Sequence, residues 1–185
     1  CTGPGSNVTT DTITFKATPG KINLSSCIID TKNSCTYTGK ALTPAVSVTY
    51  GYANARTTLK EGTDYTVTYS SNKNVGTAKV KITGKGKYTG SVTRTFKIVL
   101  GKPAIKSAAK SGTSAVKVSW SKVQGASGYE VYRSTGKTWT KVGTTKSTSF
   151  TDKKVKKGTT YSYKVRAYTA KKTYGGYSKT LKVKR

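Results

Sequence analysis

The stretch Trp120-Ser-Lys-Val-Gln-Gly-Ala-Ser-Gly-Tyr-Glu-Val-Tyr-Arg133 decides the fold. Val116, Val118 and Trp120 alternate up to it, Gly-Ala-Ser-Gly interrupts it, and Tyr129, Val131 and Arg133 alternate out of it. Successive side chains of a strand point to opposite faces, so Val116, Val118 and Trp120 share one face, and the pattern predicts two strands joined by a short connection. A Trp closing an inward row is the natural centre of a small sandwich core.

Thirty residues on, Val155-Lys-Lys-Gly158-Thr-Thr-Tyr161-Ser-Tyr163-Lys-Val165-Arg-Ala167 opens with a glycine turn and then alternates, as a strand with one wet face does. Trp120, the run Gly128-Tyr-Glu-Val-Tyr132, and Phe150-Thr-Asp152 leading into Gly158-Thr-Thr-Tyr161 together resemble a bacterial fibronectin type III domain, from about residue 102 to 185. The resemblance implies that Tyr161 sits at the turn before the sixth strand, its ring in the core and its hydroxyl bonded to backbone. Trp120 and Tyr161 then build structure rather than stack on a ligand. The chain contains no Arg-Gly-Asp triplet, so integrin binding does not carry over.

Composition points the same way. The 185 residues suffice for two domains of about 90 residues each. Thr, Val, Tyr, Ser and Gly dominate, which suits short strands and tight turns. No initiator Met and no apolar run of membrane length occur, so the chain reads as a processed or excised segment without a transmembrane span, with flanking domains expected in a larger parent.

Residues 1–20 hold Gly3-Pro4-Gly5-Ser6 and Pro19-Gly20, and Ile13 and Phe15 alternate; this is a tail or a lead-in strand, the strand being the preferred reading. From Lys21 to about Val99, short alternating rows recur: Val46, Val48 and Tyr50, then Tyr65, Val67 and Tyr69, then Val80 and Ile82, then Val92, Phe96 and Ile98. Turn-forming segments such as Glu61-Gly-Thr-Asp64 and Gly84-Lys-Gly86 separate them, which predicts an antiparallel sandwich. Tyr37-Thr-Gly39, Leu59-Lys-Glu-Gly62-Thr-Asp64-Tyr65, Asn72-Lys-Asn-Val-Gly76 and Gly84-Lys-Gly-Lys-Tyr88-Thr-Gly90 are similar to the immunoglobulin-like repeats of secreted and surface proteins of gut-type Gram-positive bacteria. Such repeats imply a spacer or adhesive element. The expectation is therefore an all-β chain of two tandem antiparallel β-sandwiches, residues 21–100 immunoglobulin-like and 101–185 fibronectin type III-like. Leu100-Gly-Lys-Pro103 is a short link between them, which favours a semi-rigid rod.

Chemistry is narrowed by subtraction. The chain has no His, so the usual base for a Ser or Cys nucleophile and the commonest zinc ligand are missing. The carboxylates are Asp11, Asp30, Glu61, Asp64, Glu130 and Asp152. Glu61 and Asp64 are the close pair, but Glu-Gly-Thr-Asp is a turn, where Asp more often bonds nearby amides than works on a glycosidic bond. No calcium loop, P-loop or dinucleotide turn is present. No catalytic residue, cofactor or metal ligand is assigned. Cys27 and Cys35 flank a turn-like Asp30-Thr-Lys-Asn-Ser34, and a bridge between them would close a short loop worth roughly 2.5 kcal/mol in the chain-entropy model; the other reading is two unrelated thiols. A bridge would imply an oxidising, extracellular setting, with Cys1 lipidated, paired or simply where the chain begins.

The net charge is +28, from 34 Lys and Arg against 6 Asp and Glu. Lysines recur at alternate positions, as in Lys79-Val-Lys81, Lys164-Val-Arg166 and Lys182-Val-Lys184, so one strand face carries cations about 7 Å apart. Two such charges repel by roughly 0.6 kcal/mol in water, which each strand tolerates. Solubility and protection of strand edges account for this charge; attraction to anionic cell-wall polymers, acidic glycans or, at low salt, nonspecifically to nucleic acid is the sharper reading. Of 13 tyrosines, Tyr50 and Tyr52 around Gly51, and Tyr174 and Tyr177 around Gly175-Gly176, stand near turns as candidate carbohydrate contacts, with rim or packing tyrosines as the preferred reading. The expected work is a non-catalytic extracellular spacer or adhesion segment of a bacterial protein. A carbohydrate-binding accessory module of a glycan-degrading enzyme is the alternative, with a host-ligand adhesin behind it.

Overall fold

The computed structural model describes residues 20–52 and 55–185. The proposed lead-in strand around Ile13 and Phe15, and Cys1, lie outside the described residues. The described chain is all-β apart from one 3-10 turn, Leu24–Ser26.

Its first half carries β1 (Ile22–Asn23), β2 (Ile28–Thr31), β3 (Ser34–Thr36), β4 (Val46–Tyr50), β5 (Thr57–Thr58), β6 (Tyr65–Ser70), β7 (Gly76–Gly84), β8 (Tyr88–Thr89) and β9 (Ser91–Val99). β2, β4 and β5 form one sheet and β3, β9, β7 and β6 another, while β1 pairs parallel with β8. The register follows the alternation: Ala78, Val80 and Ile82 of β7 are fully buried, and Thr77, Lys79, Lys81 and Thr83 between them face water. Leu24, Ile29, Val48, Leu59, Tyr65, Val80 and Ile82 fill the space between the sheets, and Ala78, Phe96 and Ile98 make a second cluster.

The bridge expected between Cys27 and Cys35 is not formed; both are free thiols. Cys27 is drawn into the cluster of Leu24, Ile29 and Val48, whereas Cys35 lies on β3 and packs with Phe96 and Ile98. The segment read as one clipped hairpin instead sends its two arms to different sheets: β2 pairs with β4, and β3 pairs parallel with β9.

The second half carries β10 (Ile105–Ser111), β11 (Ala115–Trp120), β12 (Gly128–Ser134), β13 (Thr140–Thr145), β14 (Ser149–Asp152), β15 (Thr160–Tyr168), β16 (Tyr174–Tyr177) and β17 (Leu181–Lys184). β10, β11 and β14 form a three-stranded sheet. Facing it, the order is β13, β12, β15, β16, with β17 continuing along β15. Val116, Val118 and Trp120 meet Val131, Tyr161, Tyr163, Val165 and Ala167 in one core. Trp120 is 2% exposed and stands edge-to-face on Tyr129 at 5.4 Å, an arrangement worth about 1 kcal/mol beyond its buried area. Tyr161 is buried, and its hydroxyl accepts the Lys156 amide at 2.9 Å, as its turn position implies. Below it, the buried Asp152 carboxylate accepts from Arg133, the Tyr163 hydroxyl and the Lys154 amide, at 2.8 to 2.9 Å, and so ties β12, β14 and β15 together.

The link between the halves belongs to the packing. Leu100 is 2% exposed and lies in the core around Trp120, and Pro103 is buried. The Tyr37 amide donates to the Val99 carbonyl at 2.8 Å, and the Tyr37 ring touches both the Phe96 cluster and the Trp120 core. Gly125 admits that ring: any Cβ there would run into it, and its φ of 77° is a conformation that suits glycine. Gly175, read from the sequence as a turn between tyrosines, serves the same joint, since a Cβ on it would press within 3.0 Å of the Leu100 Cβ and 3.2 Å of the Leu100 carbonyl oxygen.

Candidate functional site

The outward face of the sheet of β12, β13, β15 and β16 interleaves charged and aromatic side chains that the core does not use. Alternation along β15 sends Tyr163, Val165 and Ala167 inward and leaves Lys164 and Arg166 outward, half-buried. On β12, the same period leaves Tyr132 outward beside Arg166, and β16 brings Tyr177 and Tyr174 to the other flank.

These side chains interleave. The Lys164 ammonium lies 4.2 Å from the centroids of both the Trp139 and Tyr177 rings. The Arg166 guanidinium lies 4.0 Å from Tyr174, 5.1 Å from Tyr177 and 5.4 Å from Tyr132. Lys172 sits 3.9 Å from the Tyr168 ring, which meets Tyr174 edge-on at 6.0 Å. Tyr132 and Tyr177 cross almost perpendicularly at 5.2 Å. Each cation over a ring contributes about 0.5–1 kcal/mol where water reaches it.

Glu130 fixes the centre of this face. Its side chain is 6% exposed, and its carboxylate accepts from Arg166 Nε at 2.9 Å, the Tyr132 hydroxyl at 2.8 Å and Lys141 Nζ at 3.2 Å. Burial, the largest single influence, raises the Glu130 carboxyl, but the hydrogen bonds from Arg166, Tyr132 and Lys141 and the Arg166 charge outweigh it and hold the group below the ordinary glutamate value. Burial and the bonds to Tyr177 and Glu130 push the Tyr132 phenol well up, so it stays a neutral donor.

The tyrosines chosen from sequence divide. Tyr174, 42% exposed, and Tyr177 are brought together around Arg166. Tyr50 is half-buried against the first core and edge-on to Tyr88 at 6.5 Å, whereas Tyr52 is 90% exposed. Both line a shallow groove with Ile28 and Arg56. Sequence reasoning read Lys164 and Arg166 only as an outward cation row and did not assign Trp139, Tyr132, Glu130, Lys141, Tyr168 or Lys172 of the C-terminal face to a site. Tyr132 was legible, two positions from Glu130 and with the period of Lys164 and Arg166; Trp139 precedes β13 outside any alternating run and carried no signal.

Two of the other acids hold local structure. Asp64 accepts the Lys60 amide at 2.8 Å within its turn, as expected, and Asp152 is buried in the tie just described. Among the described residues no group of three His, Cys, Asp or Glu converges on a metal site, and no helix is long and apolar enough to cross a membrane.

Residues 101–174 match the family model of the C-terminal domain of GH85 endohexosaminidases. An α-amylase of Niallia circulans is 32% identical over 122 residues, a match covering 56% of this chain and 9% of the amylase. The chain therefore spans less than a tenth of that relative. Among solved structures, an Fn3-like protein from Clostridium thermocellum is 31% identical over 44% of this chain and 92% of its own, with a TM-score of 0.39. A β-1,2-glucanase from Parabacteroides distasonis is 20% identical over 58% of this chain and 17% of its own, with a TM-score of 0.43. The second half is a β-sandwich of two antiparallel sheets.

Proposed function

We propose that this chain is a non-catalytic accessory segment of a larger, secreted bacterial protein that acts on glycans. The match of residues 101–174 to a domain found at the C-terminus of endohexosaminidases carries this reading, and the similarity to a stretch of an α-amylase supports it. In this reading residues 21–100 are an immunoglobulin-like unit and residues 101–185 a fibronectin type III-like unit, set side by side in the parent outside the cell. The work of the segment is to hold its catalytic partner at the polymer. The C-terminal ring-and-cation face is the first contact surface, and the Tyr50–Tyr52 turn of the first half is a second.

The test is retention of the purified chain on immobilised neutral and acidic polysaccharides, with release of reducing sugar followed in parallel. Saturable retention on at least one polysaccharide without hydrolysis is expected; hydrolysis by the chain itself, or retention on none, contradicts the proposal. A spacer reading is favoured by one observation, the shared packing of Tyr37, Leu100 and Gly125 between the halves. A spacer would leave the same assay blank while keeping the joint stiff.

A further inference from the structure

We propose that the outer face of β12, β13, β15 and β16 is the docking surface of an anionic polysaccharide, and that Glu130 and the surrounding rings preset its cations; this names the ligand class of the accessory reading above and rests on it. Four cations, Lys141, Lys164, Arg166 and Lys172, share the face with one carboxylate, Glu130. That carboxylate is 6% exposed, so it anchors Arg166 and Lys141 from beneath without presenting negative charge to solvent. Lys164 and Arg166 stand two positions apart on one strand, roughly 7 Å, which sets a row of positive charge along β15.

What separates these cations from the other lysines among the described residues is that they are held against aromatic rings. Lys164 is clasped between Trp139 and Tyr177, Arg166 between Tyr174, Tyr177 and the Glu130 carboxylate, and Lys172 against Tyr168. A side chain already ordered loses less freedom when it meets its ligand, so this face binds an anion more tightly than an equal number of free lysines. Exposed Tyr174 adds apolar surface beside the charges, which suits a sugar that carries carboxylate or sulfate. A nucleic acid is the competing polyanion, and the DNA arm of the test separates it from an acidic sugar polymer.

The test compares Lys164→Gln/Lys172→Gln and Tyr174→Ala with the charge-matched control Lys79→Gln/Lys81→Gln on exposed positions of β7, each in the full chain and each checked for an unchanged melting profile. The probes are polygalacturonate, heparin, a neutral glucan and a double-stranded DNA, titrated at about 0.15 M salt, where charges farther apart than roughly 8 Å are screened. The expected result is saturable binding to an acidic polysaccharide, weakened roughly tenfold by the Lys164/Lys172 pair and about threefold by Tyr174→Ala, with the β7 pair near wild type. Equal losses in both pairs, or in neither, overturn the docking surface while leaving the accessory reading standing. Binding to DNA in preference to both acidic polysaccharides overturns it as well. No binding to any glycan, acidic or neutral, overturns both.

Discussion

Glu130 has three donors and almost no water, so removing its carboxylate leaves Arg166 and Tyr132 without their acceptor. Glu130→Ala is expected to cost about 2 kcal/mol at neutral pH, below the usual range for a broken buried pair because Lys141 and Arg166 retain water. The sign with pH follows from the lowered carboxyl: its stabilisation is complete above the ordinary glutamate value near pH 4.3 and fades as pH falls through the lower folded value. Urea titrations of wild type and variant should therefore converge as pH drops below about 4; a constant gap would contradict the assignment. The thiols give a second prediction at this scale. Burial raises the Cys27 thiol and removes it from reagent, while Cys35 is half-buried. Alkylation in native buffer should label Cys35 and spare Cys27 until denaturant is added, and a mass two units light and unreactive in denaturant, as a disulfide gives, would restore the bridge expected from spacing.

At the scale of elements, the tie among β12, β14 and β15 makes the second sandwich sensitive to alkali. Burial, then the bond to Asp152, pushes the Tyr163 phenol well above its ordinary value, so the folded chain keeps a proton that the unfolded chain releases. Its contribution is present below the ordinary tyrosine value near pH 10 and is lost as pH climbs above it. Tyr163→Phe should cost about 1 kcal/mol at neutral pH and flatten the loss of stability above pH 10, read by denaturant melts; an unchanged alkaline slope would count against the tie. These strands were legible because each alternates: Val116, Val118 and Trp120 on β11, and Ala78, Val80 and Ile82 on β7, are buried in the register their sequence prescribes. The candidate face was half legible. Lys164 and Arg166 declared themselves by period, but their partners Trp139, Tyr174 and Tyr177 come from turns and from an irregular strand pairing, where spacing does not say which side chains meet. The thiols misled because proximity in sequence says nothing of which sheet each arm joins.

Across the whole molecule, the link from Leu100 to Pro103 is an extension of the second core, and Tyr37 of the first half closes over Gly125 of the second. Gly125→Val should unseat Tyr37 and loosen the joint, because a branched side chain neither fits under the ring nor favours the positive φ. Small-angle scattering should then show a broader distribution of interatomic distances with strand content by circular dichroism unchanged; an unaltered profile would mean that the joint is held elsewhere. Both halves carry lysines on their outward strand positions, so in the proposed reading charge alone draws the chain to polyanions, and among the described residues the C-terminal face adds ordered rings to that attraction. Backbone amide shifts, mapped while an acidic oligosaccharide is titrated into the isotopically labelled chain at physiological salt, test this most directly. The account predicts saturating shifts clustered on Tyr132, Lys164, Arg166, Tyr174 and Tyr177; small shifts scattered over the lysines of both halves, without saturation, would contradict it.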